Sequence, residues 1–127
     1  MNIDFGQTIT LETAKKERDD QIRVLISGRR YEKEIKGITF NGTKFSTDRQ
    51  SQSMLTGAAV SAMLDPSYSV KWKTSAGFVQ LSSSEVIAAA QAVRAHVQAC
   101  FDREAELTTA LEDGTYLSSM LDEGWPE

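Results

Sequence analysis

The chain has 127 residues, 40% of them hydrophobic and a quarter charged, which is a single-domain length with enough apolar residues for a core and not the composition of a disordered segment. A net charge of -4 argues against a general electrostatic grip on nucleic acid or anionic lipid, and one cysteine excludes an intrachain disulfide or a cysteine-based zinc cluster. The charge is uneven. Residues 1–49 carry ten basic and eight acidic side chains, whereas residues 102–127 carry eight acids and one base, Arg103. Such an acidic end could steer self-association or a basic partner, although a solvated surface has the same composition. Met1-Asn2-Ile3-Asp4 does not read as a targeting segment, and the longest uncharged window, Gln50 to Leu64, is too short and too polar to span a bilayer. No membrane association is expected, and the thiol points to a reducing compartment.

Residues 10–31 form the first expected helix. Thr10 is a reasonable N-cap and Glu12 an acid in the first turn. Leu11, Ala14, Ile22, Leu25 and Ile26 make a thin apolar stripe around a very polar face, and Gly28 marks an end or a bend. A hairpin follows over residues 38–45, because Ile38-Thr39-Phe40 and Thr43-Lys44-Phe45 flank Asn41-Gly42, a dipeptide suited to the type I′ turn. A second helix is expected over 47–64, with Thr47 and Gln50 in capping-box spacing and Asp65-Pro66 as its stop.

The pattern then recurs. Ser69 to Thr74 alternates strictly, Ser75-Ala76-Gly77 reads as a short loop, and the strand returns by Leu81, for a second hairpin over 69–81. Ser82 and Glu85 open a long third helix over 83–112, and a short helical segment over 116–121 follows. Val86, Ala90, Val93, Val97, Cys100, Glu104, Leu107 and Leu111 keep a 4-3-4-3 spacing, a heptad seam broken only by Glu104. At 1.5 Å per residue this seam is about 38 Å long, more than a small sheet needs for cover. Either the first helix packs along it or part of it meets another subunit. The expected fold is α+β: two hairpin–helix units, whose strands could join as one four-stranded antiparallel sheet, packed with a polar N-terminal helix and a long C-terminal one.

The inventory for chemistry is thin. His96 and Cys100 lie four residues apart on the third helix, a spacing open to a thiol nucleophile and its base. Yet Cys100 sits on the apolar seam, and no glycine-rich oxyanion loop adjoins it. One His and one Cys cannot complete a metal site, and no phosphate-binding glycine loop is present. No catalytic residue, cofactor or metal is therefore assigned. Arg29, Arg30, Lys33, Lys36 and Lys44 form a basic cluster, and Lys71-Trp72-Lys73 places a Trp between lysines. In a strand, however, Trp72 shares a face with Val70 and the lysines point away, so the Trp reads as core and the lysines as edge protection.

One combination of pieces resembles a known family. It comprises the polar first helix, the hairpin ending in Phe45-Ser46-Thr47-Asp48, Ser53-Met54-Leu55-Thr56-Gly57-Ala58-Ala59, and the run from Val70 to Leu81. His96 to Leu107 and the closing Gly124-Trp125-Pro126 complete it. In order and spacing these are similar to the DUF4376 family, small proteins or terminal domains of tailed bacteriophages and prophages, over about Ala14 to Pro126. The resemblance supplies no activity. It implies a tail-associated role, as a minor structural component or a tail-fibre assembly chaperone working by protein–protein contact. The setting would be the bacterial host cytoplasm during assembly or the virion tail, and the partner a tail or tail-fibre protein. The matching Trp72, Phe78, Phe101 and Trp125 are expected to be core aromatics. Val93, Val97, Cys100, Leu107 and Leu111 are the expected partner surface, which also admits a homo-oligomer through the long helix. The alternative is a small DNA-binding or regulatory phage protein using the cluster from Arg29 to Lys44.

Overall fold

The computed structural model describes residues 5–127, and side chains from Thr10 onward. Helix α1 runs Phe5–Glu34, hairpin strands β1 and β2 are Ile38–Phe40 and Thr43–Phe45, and α2 is Arg49–Leu64. Strands β3 (Ser69–Thr74) and β4 (Gly77–Ser82) lead directly into α3 (Ser83–Asp113), and a 3₁₀ turn spans Ser118–Asp122. The α+β class and the helix–hairpin order agree with the sequence reading.

Helix α1 extends beyond both expected ends, so Thr10 and Glu12 are interior rather than capping, and Gly28 does not break it. One glycine costs about 1 kcal/mol in a helix, too little to interrupt one that packs along α3 and carries ion pairs one turn apart. Lys15 reaches Asp19 at 2.8 Å and Lys16 reaches Asp20 at 3.3 Å. The expected apolar stripe is narrower than it looked: Ile26 is buried and Ile22 half-buried, while Leu11 and Leu25 are exposed.

Asn41 and Gly42 adopt φ of 50° and 77°, the left-handed pair that the first hairpin turn requires. Register Ile38↔Phe45 and Phe40↔Thr43 puts Ile38, Phe40 and Phe45 on one face, which turns inward. The N-cap of α2 is Asp48, not Thr47: its carboxylate accepts from the Ser51 N–H at 2.9 Å. Thr47 is buried and tied back to the end of α1 instead. Helix α3 has the expected capping box, with Ser82 and Glu85 each accepting from the other's backbone N–H, and Gly114 closes it at φ 77°. The last segment is a 3₁₀ turn rather than the expected short helix, starting two residues later and ending one residue later than 116–121.

The two hairpins do not join. Each is a separate two-stranded antiparallel sheet, although β2 and β3 approach one another. Strands of three residues on one side, and the immediate turn into α2, leave no length for a shared ladder. Each hairpin is held by helix cover instead.

The main core lies between α2, the N-terminal half of α3 and the inner faces of both hairpins: Phe45, Leu55, Ala62, Leu81, Val86 and Val93 are among its buried members. A second buried set, Ile26, Cys100, Leu107 and Leu111, lies where α1 packs along the rest of α3. The length of α3 is thereby explained within one chain.

Candidate functional site

The most polar part of the interior forms where the C-terminal end of α1 meets the start of α2 and the middle of α3. Glu34 is 1% exposed in spite of its charge, and the sequence around it supplies three donors. Arg30, one turn back, gives Nη1 to Oε1 at 2.6 Å. Arg49, at the start of α2, donates Nε to Oε2 at 3.2 Å and Nη2 to Oε1 at 3.3 Å, and Gln52 Nε2 donates to Oε2 at 2.9 Å. Burial pushes the Glu34 carboxyl up, but the bonds from Gln52, Arg49 and Arg30 outweigh it and hold the group below the usual range. The Thr47 hydroxyl donates to the Glu34 carbonyl and accepts from the Gly37 N–H at 2.9 Å. This joins α1 to the entrance of α2 across the first hairpin.

His96 and Cys100 border this cluster. His96 Nε2 lies 2.9 Å from the Lys33 carbonyl oxygen, a bond that places the proton on that nitrogen. The Cys100 sulfur is 3.9 Å from the same nitrogen and is fully buried. Burial first, and then the Glu34 carboxylate, push its thiol up, so it is held in the unreactive form. The pair packs α1 against α3, with the thiol buried beside the imidazole. Among the described residues no group of three or more His, Cys, Asp or Glu could hold a metal ion, and no helix is long and apolar enough to cross a membrane.

The expected partner surface is not a surface. Val93, Val97, Cys100, Leu107 and Leu111 are each at most 8% exposed, covered by α2 at one end and α1 at the other. The seam is used inside the chain. Even its polar break is matched there, since Glu104 meets Arg30 Nε at 3.5 Å.

The expected core aromatics divide. Trp72 is half-buried and packs on the core. Phe78 is 68% exposed. The turn between β3 and β4 has two residues, Ser75 and Ala76, rather than three, so Phe78 lies opposite Lys73 and Trp72 opposite Val79. A shift of one residue moves a side chain to the other face of the sheet. Phe101 lies at the rim, with the Arg30 guanidinium 4.4 Å from its ring centre. Trp125 is half-buried and donates Nε1 to the Leu121 carbonyl at 2.7 Å.

Arg103, which the sequence marks only as the one base of the acidic end, organises that end. It donates to the Glu123 carbonyl at 2.8 Å, the Met120 carbonyl at 3.1 Å and the Glu106 carboxylate at 3.0 Å. Being the single base among eight acids was the available signal. The basic cluster is largely paired: Arg29 with Glu32 and Asp122, Arg30 with Glu34 and Glu104, and Lys36 with the Pro126 carbonyl.

What the chain leaves open is apolar. Between Arg49 and Asp65 helix α2 has no charged residue, and Met54, Val60, Met63 and Leu64 on it are at least half exposed. A groove of about 620 Å³ separates the start of this helix from β3, bordered by Met54, Trp72 and Phe78.

A model of a domain of unknown function, DUF4376, matches residues 14–123. The chain belongs to the DUF4376 family. No curated protein and no solved structure matches it. The match spans every described element except the start of α1, so both the paired interior and the open apolar surface lie within the DUF4376 domain.

Proposed function

We propose that this DUF4376 protein is non-enzymatic and works by protein–protein contact. Following the resemblance, it would be a phage or prophage tail-associated protein, either a minor structural component or a tail-fibre assembly chaperone. The observation that carries the reading is the division of its surface. The buried side chains able to do chemistry are engaged inside the fold, Glu34 with Arg30, Arg49 and Gln52, His96 with the Lys33 carbonyl, and Cys100 beside His96, whereas Met54, Val60, Met63, Leu64 and Phe78 face water without a partner of their own. Exposed apolar side chains grouped on an uncharged helix mark interaction sites more often than they mark anything else.

Quantitative mass spectrometry of purified virions beside the crude lysate tests this. Stoichiometric presence in particles makes the protein a structural component. Presence in the lysate alone, with recovery on tail-fibre protein, makes it a chaperone. Absence of any tail-protein association, together with a salt-sensitive DNA gel shift lost on Lys36→Glu/Lys44→Glu, would replace the reading with the regulatory one. Those two lysines are the better probe of the basic cluster, because Arg29 and Arg30 hold ion pairs within the fold, whereas Lys36 gives up only an exposed bond to the Pro126 carbonyl.

A further inference from the structure

We propose that the groove beside β3 receives an extended acidic segment of a partner protein, which adds to the sheet as a third strand next to β3. The inference rests on the protein–protein reading above and gives it a site and a chemistry. Strand β3 pairs only with β4; β2 approaches it without pairing and Ser46 borders the groove, so the other edge of β3 carries no ladder. Thr74 and Gly77 flank the two-residue turn and exchange the first pair of ladder bonds. By the antiparallel alternation, Trp72 and Val70 also bond to β4, while the N–H and C=O groups of Lys71 and Lys73 point to the unpaired edge. The groove lies on that side: every residue from Val70 to Thr74 lines it, whereas β4 contributes only Phe78.

The side chains define the occupant. Lys71 and Lys73 are exposed and have no ion-pair or hydrogen-bond partner among the described residues. They stand on the outer face with Phe78, across from Gln80 and Phe78 in the register. An added strand would place alternate side chains beside them, and acidic ones would find two unpaired ammonium groups. Its other side chains would turn toward Trp72 and Met54, where apolar ones fit. The same lysines disfavour a second copy of this strand, since like charges set side by side repel. Nucleic acid would meet only these two cations, an apolar wall, and main-chain groups it has no means to pair.

The experiment is an amide NMR titration of the full chain. The probes are an end-blocked octapeptide alternating Glu and Val, the same peptide with Lys for Glu, the Glu peptide N-methylated at alternate residues, and a ten-nucleotide oligothymidylate. The Glu peptide is expected to shift the amides of Lys71 and Lys73 together with those of Met54 and Phe78. The N-methylated peptide should lose this, and Lys71→Glu/Lys73→Glu should weaken the Glu peptide by about fivefold and favour the Lys peptide. Shifts confined to other surfaces, equal response to the N-methylated peptide, stronger binding of oligothymidylate, or no shift at millimolar peptide would each overturn the assignment. The two readings fail separately. If Phe78→Asp/Lys73→Glu stays folded and still associates with tail protein, the groove assignment falls and the protein–protein reading stands.

Discussion

Both hairpins turn in two residues and both lead into a helix, but the first directs Ile38, Phe40 and Phe45 toward the core while the second leaves Phe78 in water opposite Lys73. The difference does not come from composition, since each hairpin carries two aromatics. It comes from register. In the first, every large apolar residue has the parity of the inner face; in the second, Trp72 has it and Phe78 does not. The first hairpin is thereby consumed by the fold and further anchored through Thr47, whereas the second has an inner face that is core and an outer face with an apolar ring and two unpaired cations. A small domain can use one motif twice, once to build itself and once to present a surface.

Removing the inward aromatic breaks the comparison most sharply. Phe45 is 3% exposed within the main core, so Phe45→Ala should lower the stability to urea by about 3–5 kcal/mol. The midpoint of urea unfolding should fall steeply with little change in slope, and a loss below about 1 kcal/mol would mean that the first hairpin is no better packed than the second.

The anchor behind that hairpin predicts the next effect. Glu34 is held below its ordinary value near 4.5 in the folded state, so its stabilisation is complete above that value and fades as pH falls through the lower folded value. Glu34→Gln should cost about 2 kcal/mol at pH 7, discounted because Arg49 is largely solvated. Asp48, Asp65 and Glu85 are also held low, by hydrogen bonds from Ser51, Ser67 and Ser82, so the wild type loses stability in acid for several reasons. The specific expectation is that the gap between Glu34→Gln and the wild type narrows progressively as the pH is lowered from 5 through 4.5 and below. A gap constant across that range would remove Glu34 from the account.

Gly124 tests the acidic end on a smaller scale. At φ 78° a side chain is strained, and a Cβ there would lie 2.6 Å from Arg103 Nε. Gly124→Ala should cost about 1 kcal/mol, and it should release the segment after Gly114 to protease before the core unfolds. Unchanged cleavage would show that Arg103 does not hold that segment.

Local signals were legible in the sequence because the bonds behind them are local. Asn41-Gly42 and the Ser82–Glu85 box act within four residues, and both were read correctly. Where two neighbours competed, as Thr47 and Asp48 did for the cap of α2, a contact to α1 decided, and no short window contains it. The seam of α3 was legible as a seam, but periodicity does not say what covers it. The answer lay in Ile26 on α1 and in an Arg30–Glu104 pair formed across two helices far apart in sequence. Phe78 turned on whether the second loop had two residues or three, which Ser75-Ala76-Gly77 leaves open because Gly77, at φ 115°, serves equally as loop or as first strand residue. The groove depends on that same register and on how α2 sits against β3, so it could not be read beforehand.

The smallest expected effect bears most directly on the contrast between the hairpins. Phe78 lies on the outer face at 68% exposure, so Phe78→Ser removes little buried area and should change stability by no more than about 0.5 kcal/mol. A core aromatic would cost several times that. The expected result is an unfolding curve that nearly overlays the wild type, beside the large shift of Phe45→Ala. If Phe78→Ser is instead as damaging as Phe45→Ala, the second hairpin has slipped by one residue, Phe78 has joined Trp72 on the inner face, and the lysines no longer share a face with it. If the curves overlay, the ring is maintained at the surface without contributing to the fold. Loss of a partner without loss of stability is then the signature to seek, because only a residue engaged with another molecule would separate the two.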